Sequence, residues 1–245
     1  MGTAAGAVAV LLMSVTLGLG SPGTCRAAKE RIPLPGRVYA WSFQADTLGQ
    51  KPAHTVAFGG NWQVVEDSTD TALASPDSAS PASAARDSVP RLPPASRHLA
   101  QFEGDDGIAY HYLTFTRPTL GDMDASVRFR IRAGEIDPSA GLMFQMDPKG
   151  TSGYLVRASG GSGELTFHYL LYGRRRDVKY SKIPALMPGT WHTIAIVRRK
   201  TQLHVSYDGK EVMAVRDDRF SQGHVGVWTE DDTVVDFEDL TATAR

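Results

Sequence analysis

Apolar and polar residues alternate with period two along much of the chain. Val127, Phe129 and Ile131 alternate with Arg128, Arg130 and Arg132, and Leu203, Val205 and Tyr207 alternate with Gln202, His204 and Ser206. Successive side chains of a β-strand point to opposite faces, so the pattern predicts strands with one face buried. Asp208-Gly209 supplies the positive φ angles of a tight hairpin. Ser159–Gly163 reads as a glycine-rich turn between strands over Gly153–Ala158 and Leu165–Tyr172, and Gly173–Arg176 as a turn before a strand over Val178–Ile183. Further strands are expected over Val38–Phe43, Gln63–Glu66, Ile108–Phe115, Gly141–Met146, Trp191–Arg198, Val212–Val215, Gly223–Trp228 and Thr233–Leu240. No long 3.6-residue period follows the N-terminal apolar run. The expected fold class is all-β, a two-sheet antiparallel sandwich.

Two segments break this pattern. Residues 1–20 are an apolar run followed by Ser21-Pro22-Gly23 and small residues near Ala27-Ala28. This predicts a secretory signal peptide over 1–28 and an exported protein, periplasmic or extracellular, with no membrane span in the mature chain. The alternative is a short membrane anchor, for which about 20 apolar residues are the minimum. Cys25, the single cysteine, is either removed with the leader or lipid-modified; either way the mature chain has no disulfide and depends on its core. The second segment, about 67–97, is rich in Ala, Ser, Pro and Asp and has no aromatic residue. It cannot bury enough apolar surface to offset the cost of ordering its backbone, and reads as a disordered insertion in a single domain over 29–245. Read instead as a linker, it would leave a preceding part too short to fold alone.

The C-terminal third carries a family resemblance. Trp191-His192 opens a strand, Val205 to Lys210 ends in an Asp-Gly-Lys hairpin, Gly223-His224-Val225-Gly226-Val227-Trp228 follows, and Asp236-Phe237-Glu238-Asp239-Leu240 closes. In this order they resemble the 3-keto-disaccharide hydrolase domain family, within the laminin-G-like, concanavalin-A-like jelly-roll group, from about Tyr39 to Thr243. The resemblance implies a jelly roll and, if the activity is present, action on the glycosidic bond of 3-keto-disaccharides. A ketone at C3 acidifies the neighbouring C–H, so one base could start elimination while an arginine or a metal steadies the enolate.

Charge narrows the partners. With 26 Lys+Arg against 27 Asp+Glu, the chain lacks the basic balance of a general nucleic-acid binder. Acidic turn pairs at Asp105-Asp106, Asp122/Asp124, Asp217-Asp218 and Glu230–Asp232 leave calcium open as a cofactor, but they have no fixed ligand spacing and suit turns equally well, so no metal-ligating residue is assigned. Gly-x-Ser-x-Gly, His-Glu-x-x-His and Cys-x-x-Cys are absent, as is the Glu-x-Asp-x-x-Glu strand of two-carboxylate glycosidases, and Asn61 is the only asparagine. Arg128, Arg130 and Arg132 form either a solvated sheet face or a polar groove for sugar hydroxyls or a carboxylated glycan. Trp228 lies opposite Val225 and Val227 in parity, which makes it the tryptophan most suited to stack on a sugar, where Trp41, Trp62 and Trp191 suit a core. Gln145, Arg157 and His168 are expected to converge on one sheet face with Arg174 at the rim and Trp228 or Tyr172 as the aromatic wall, a set suited to a carbohydrate ligand. His168, Asp147 and His192 are the candidate bases. Two functions remain open: a glycan-binding or interaction module, and a hydrolase or lyase on 3-keto-disaccharides or related glycosides.

Overall fold

The computed structural model describes residues 33–67, 96–102 and 110–245. The signal peptide over 1–28, Cys25, the interior of the 67–97 insertion and Asp105-Asp106 lie outside the described residues. No described helix is long and apolar enough to cross a membrane.

The described residues form strands β1 (Val38–Trp41), β2 (Thr55–Phe58), β3 (Trp62–Glu66), β4 (Arg97–Gln101) and β5 (Tyr110–Phe115). Then come β6 (Met123–Ala133), β7 (Ser139–Met146), β8 (Gly153–Ser159), β9 (Glu164–Leu171) and β10 (Arg174–Lys182). The last five are β11 (Trp191–Arg199), β12 (Gln202–Tyr207), β13 (Lys210–Arg216), β14 (His224–Glu230) and β15 (Val234–Ala244). They build two antiparallel sheets. The first runs β13-β12-β11-β6-β15-β4-β3, with β1 on the far end of β15; the second runs β10-β9-β8-β7-β14-β5-β2. This is the two-sheet antiparallel sandwich that the alternation predicts, and the jelly roll that the family resemblance implies.

Period two explains the core. Val127, Phe129, Ile131, Ile194, Ile196, Val205 and Phe237 of the first sheet face Leu113, Phe115, Leu142, Phe144, Val156, Phe167 and Val227 of the second, all buried. The insertion's flanks pair directly: Glu66 opposes Arg97, Trp62 opposes Gln101, and the Asp67 amide donates to the Ser96 carbonyl at 2.9 Å. β3 and β4 are thus adjacent antiparallel strands of the first sheet.

Two local departures from the expected pattern reshape the second sheet. The turn before β10 is shorter than Gly173–Arg176, because Tyr172 and Gly173 both take positive φ (52° and 74°) and complete a two-residue hairpin turn by themselves. Arg174, Arg175 and Arg176 consequently lie in the strand and alternate between its faces. The second departure is a bulge in β7: His224 pairs with Met146 but Gly226 with Met143, and Gln145 takes φ 50°. The extra residue sends Met146 to the side of Met143.

Gly223 makes this bulge possible, since a Cβ there would fall on the Gln145 carbonyl carbon and the Met146 oxygen, both backbone. Gly223→Ala is expected to lower stability by about 1–3 kcal/mol through overpacking. Urea unfolding checks this; a midpoint equal to the wild type's would contradict it.

Candidate functional site

The second sheet has an apolar cluster on its outward face as well as on its core face. Tyr112, Met143, Met146, Leu155, Leu170 and Trp228 are buried together, with Phe58 and Tyr110 packed against them. Cross-strand register explains the central contact. Trp228 pairs with Gly141 on β7, and Gly141 pairs with Arg157 on β8. Because the middle position has no side chain, the Arg157 guanidinium meets the Trp228 ring across it, 5.8 Å from the centroid.

Arg175 reaches the same ring from much farther away. Strands β10 and β14 are four positions apart in the sheet, about 19 Å at the usual ~4.8 Å spacing. Yet the Arg175 guanidinium lies 5.3 Å from Trp228 and 4.9 Å from Tyr110. A flat sheet would not allow this contact. The second sheet therefore curls, and its edge strand reaches over its own concave face.

Glu230 holds this closure together. It is 3% exposed, accepts from Arg175 at 2.6 Å and pairs with Arg157, which also pairs with Asp137. Asp137 in turn accepts from the Ser159 hydroxyl at 2.7 Å. Burial pushes the Glu230 carboxyl above its ordinary range, and the two guanidiniums offset only part of that effect. Asp231 next to it is also raised, by burial first and then by Asp137. His168 lies on the same face, opposite Leu155 in register and bonded through Nδ1 to Asp177 at 2.8 Å. Burial, followed by the Arg175 charge, lowers its pKa to about 4, so the imidazole is neutral at pH 7.

The structure thus brings Arg157, His168 and Trp228 onto one concave face, with Trp228 buried rather than presented to solvent. Gln145 does not join them. The bulge turns it away, and its amide donates to the Gly121 carbonyl at 3.2 Å, pinning the entry to β6. Arg174 lies on the other side of β10, opposite Leu171, and its neighbour Arg175 takes the place over Trp228. Asp147 closes the β7–β8 turn by accepting the Thr151 amide (2.8 Å) and hydroxyl (2.9 Å). His192 belongs to the first sheet, stacked on Tyr207 and bonded to Asp208 at 2.8 Å. The three candidate bases therefore sit in three separate places.

The arginine row of β6 and the described acidic turns are paired within the fold. Arg130 bonds the fully buried Asp236 at 3.1 and 2.7 Å, Arg132 approaches it at 3.4 Å, and Arg128 pairs with Glu238 at 2.5 Å, while Arg128 and Arg130 stack on Trp191. Asp236 would be raised by burial, but the His98 imidazole 3.3 Å away and the hydrogen bonds from Arg130 hold it below its ordinary value. Asp122, Asp124, Asp217 and Asp232 each accept from a backbone amide or pair with an arginine. Among the described residues, no group of three or more His, Cys, Asp or Glu side chains is placed to hold a metal ion.

Sequence reasoning missed Arg175, Glu230 and Asp137. The Tyr172-Gly173 turn and strand parity carried a signal for Arg175. Nothing local marked the others, because Glu230 ends β14 and Asp137 precedes β7, while the arginines they meet lie on β8 and β10.

No protein-family model matches the chain, and no curated protein matches it in sequence. Solved structures share its fold. The carbohydrate binding module CBM66 from Bacillus subtilis superposes with TM-score 0.54 at 16% identity, covering 60% of this chain and 86% of that one. The exoplasmic/lumenal domain of VIP36, in its Ca2+/Man-bound form, gives 0.49 at 11% identity over 61% of this chain and 79% of that one. A Bacillus subtilis protein of unknown function with a galectin-like fold gives 0.45 at 13% identity, covering 61% and 84%. At 16% identity the likeness to the CBM66 module shows the jelly-roll fold alone.

His168 makes stability pH-dependent. Its folded pKa, about 4, lies below its ordinary 6.5, so the folded state binds fewer protons than the unfolded chain between these values. The contribution is complete above about pH 6.5 and is lost as pH falls towards 4, by roughly 3 kcal/mol at 1.36 kcal/mol per unit. His168→Gln should flatten that part of the profile. Unfolding free energies at pH 7 and pH 4.5 test this, and equal slopes in both proteins would contradict it.

Proposed function

We propose that this chain is an exported carbohydrate-binding jelly-roll module that takes its glycan on the concave face of the second sheet. The observation that carries the reading is the meeting of Arg157, Arg175 and Glu230 over Trp228. A buried carboxyl raised above its ordinary range, met by two guanidiniums beside an aromatic ring, supports a binding face. Guanidinium forks donate to sugar hydroxyls in fixed geometry, and an indole offers an apolar face to a pyranose ring. Arg175 is the movable part: its side chain is 21% exposed, against 9% for Arg157 and 4% for Glu230. The fold shared with a carbohydrate binding module supports the reading. Export rests on residues 1–28.

A second reading, a hydrolase or lyase acting on 3-keto-disaccharides, is favoured by one observation. His168 is neutral at pH 7, is bonded to Asp177, and shares its face with two arginines that could steady an enolate. Its pKa of about 4 makes it a weak base for abstracting a carbon-bound proton, so binding is the preferred reading.

A neutral-glycan array and a 3-keto-glycoside panel separate the two. The binding reading expects a neutral oligosaccharide to bind wild type, and Arg175→Gln to weaken it by about tenfold, the loss of one charge-assisted contact. Absence of any neutral ligand, or undiminished affinity in Arg175→Gln, would count against it. Release of sugar from a 3-keto-glycoside, lost in His168→Gln, would favour the enzyme.

A further inference from the structure

We propose a second binding site, separate from the concave face, at the β9–β10 hairpin: a notch that takes one unit of an anionic glycan carrying carboxylate or sulfate groups. Tyr169, Leu171, Tyr172, Arg174 and Arg176 line a cavity of about 170 Å³ there. That is smaller than the ~300–1,000 Å³ of whole-ligand pockets, so it suits a single sugar ring with the rest of the chain in solvent.

The charge at this notch is uncompensated. Arg174 and Arg176 stand on the same side of β10, two residues apart, opposite Leu171 and Tyr169. No carboxylate lies within ion-pair distance of either among the described residues, whereas Arg97, Arg128, Arg130, Arg157, Arg175 and Arg219 each have one. The nearest acid along the strand, Asp177, is directed to the other face, where it bonds His168. Arg219 stacks on Tyr169 at 4.3 Å but is neutralised by Asp217, so the uncompensated charge is that of Arg174 and Arg176. Two unpaired guanidiniums side by side repel, and a bound anion removes the repulsion while accepting their fixed donors.

The aromatic part is as specific. Tyr172 is 83% exposed, more than any other large hydrophobic side chain described. It contributes nothing to the core, yet its backbone is anchored: its amide donates to the Ser152 hydroxyl at 3.2 Å, and the Gly173 amide to the Thr151 carbonyl at 2.8 Å. An exposed ring on a fixed turn beside paired cations is suited to stack on a sugar whose acidic group meets Arg174 and Arg176.

The inference rests on the proposed glycan-binding reading for the kind of ligand but uses different residues, so the two can fail separately. Calorimetry with polygalacturonate, heparin and neutral dextran, on wild type, Tyr172→Ala and the double variant Arg174→Ser/Arg176→Ser, tests it. All three side chains are exposed, so folding is retained. At least one anionic glycan should bind wild type and dextran should not compete for it. The double variant should weaken that binding by at least about tenfold and Tyr172→Ala by about fivefold, the ordinary cost of losing charge-assisted and aromatic contacts. No binding of either anionic glycan, undiminished binding in the double variant, or equally tight binding of single-stranded DNA with no effect of Tyr172→Ala would overturn it. Loss in Arg175→Gln alone, with the notch variants binding as wild type, would overturn the notch and leave the concave face standing.

Discussion

Glu230 is buried on the outward face of a sheet, where a carboxylate is tolerable only if cations meet it. Arg157 does so from two strands away and Arg175 from across the curled sheet, and both lie against Trp228. Removing either would leave a charge with too little compensation, at a cost of about 3–5 kcal/mol for a buried pair. The arrangement therefore couples curvature to chemistry. The curl brings Arg175 within reach, and the ion pairs hold the curl closed over an apolar floor of Met143, Leu155 and Leu170. Of the three charged side chains, Arg175 is the most accessible.

The first sheet uses the same residue types to a different end. Arg128, Arg130 and Arg132 run along β6 beside Asp236 and Glu238 of β15, so each cation meets an acid on the adjacent strand. These are short cross-strand pairs between neighbours, of the kind that stabilise a sheet face. Asp67, just past β3, joins the row from farther off, 3.6 Å from Arg130. On the second sheet the converging groups also lie against a buried indole, Trp228.

Much of the architecture was legible in residues whose signals are local. The alternation in Val127–Arg132 and Gln202–Tyr207 placed two strands with their buried faces, Asp208-Gly209 marked a hairpin, and the parity of Val225, Val227 and Trp228 put the tryptophan on the outward face. What escaped was non-local or depended on one residue of register. Ending the turn at Gly173 rather than Arg176 exchanges Arg174 for Arg175 over Trp228. The Gln145 bulge requires Gly223 opposite it, 78 residues later in number, and no pattern within β7 announces it. Glu230 looked like part of an acidic turn because its partners lie on β8 and β10.

The central claim is that the concave face of the second sheet, closed by Glu230 between two arginines, is the surface that meets a neutral glycan. Amide and indole shift mapping during titration with an array-identified oligosaccharide tests it most directly. The Trp228 indole N–H and the backbone amides of Arg157, Arg175 and Glu230 are predicted to move together and saturate with one affinity. Shifts confined to the outer face of the first sheet around Trp191, with the Trp228 indole unmoved at saturation, would contradict it.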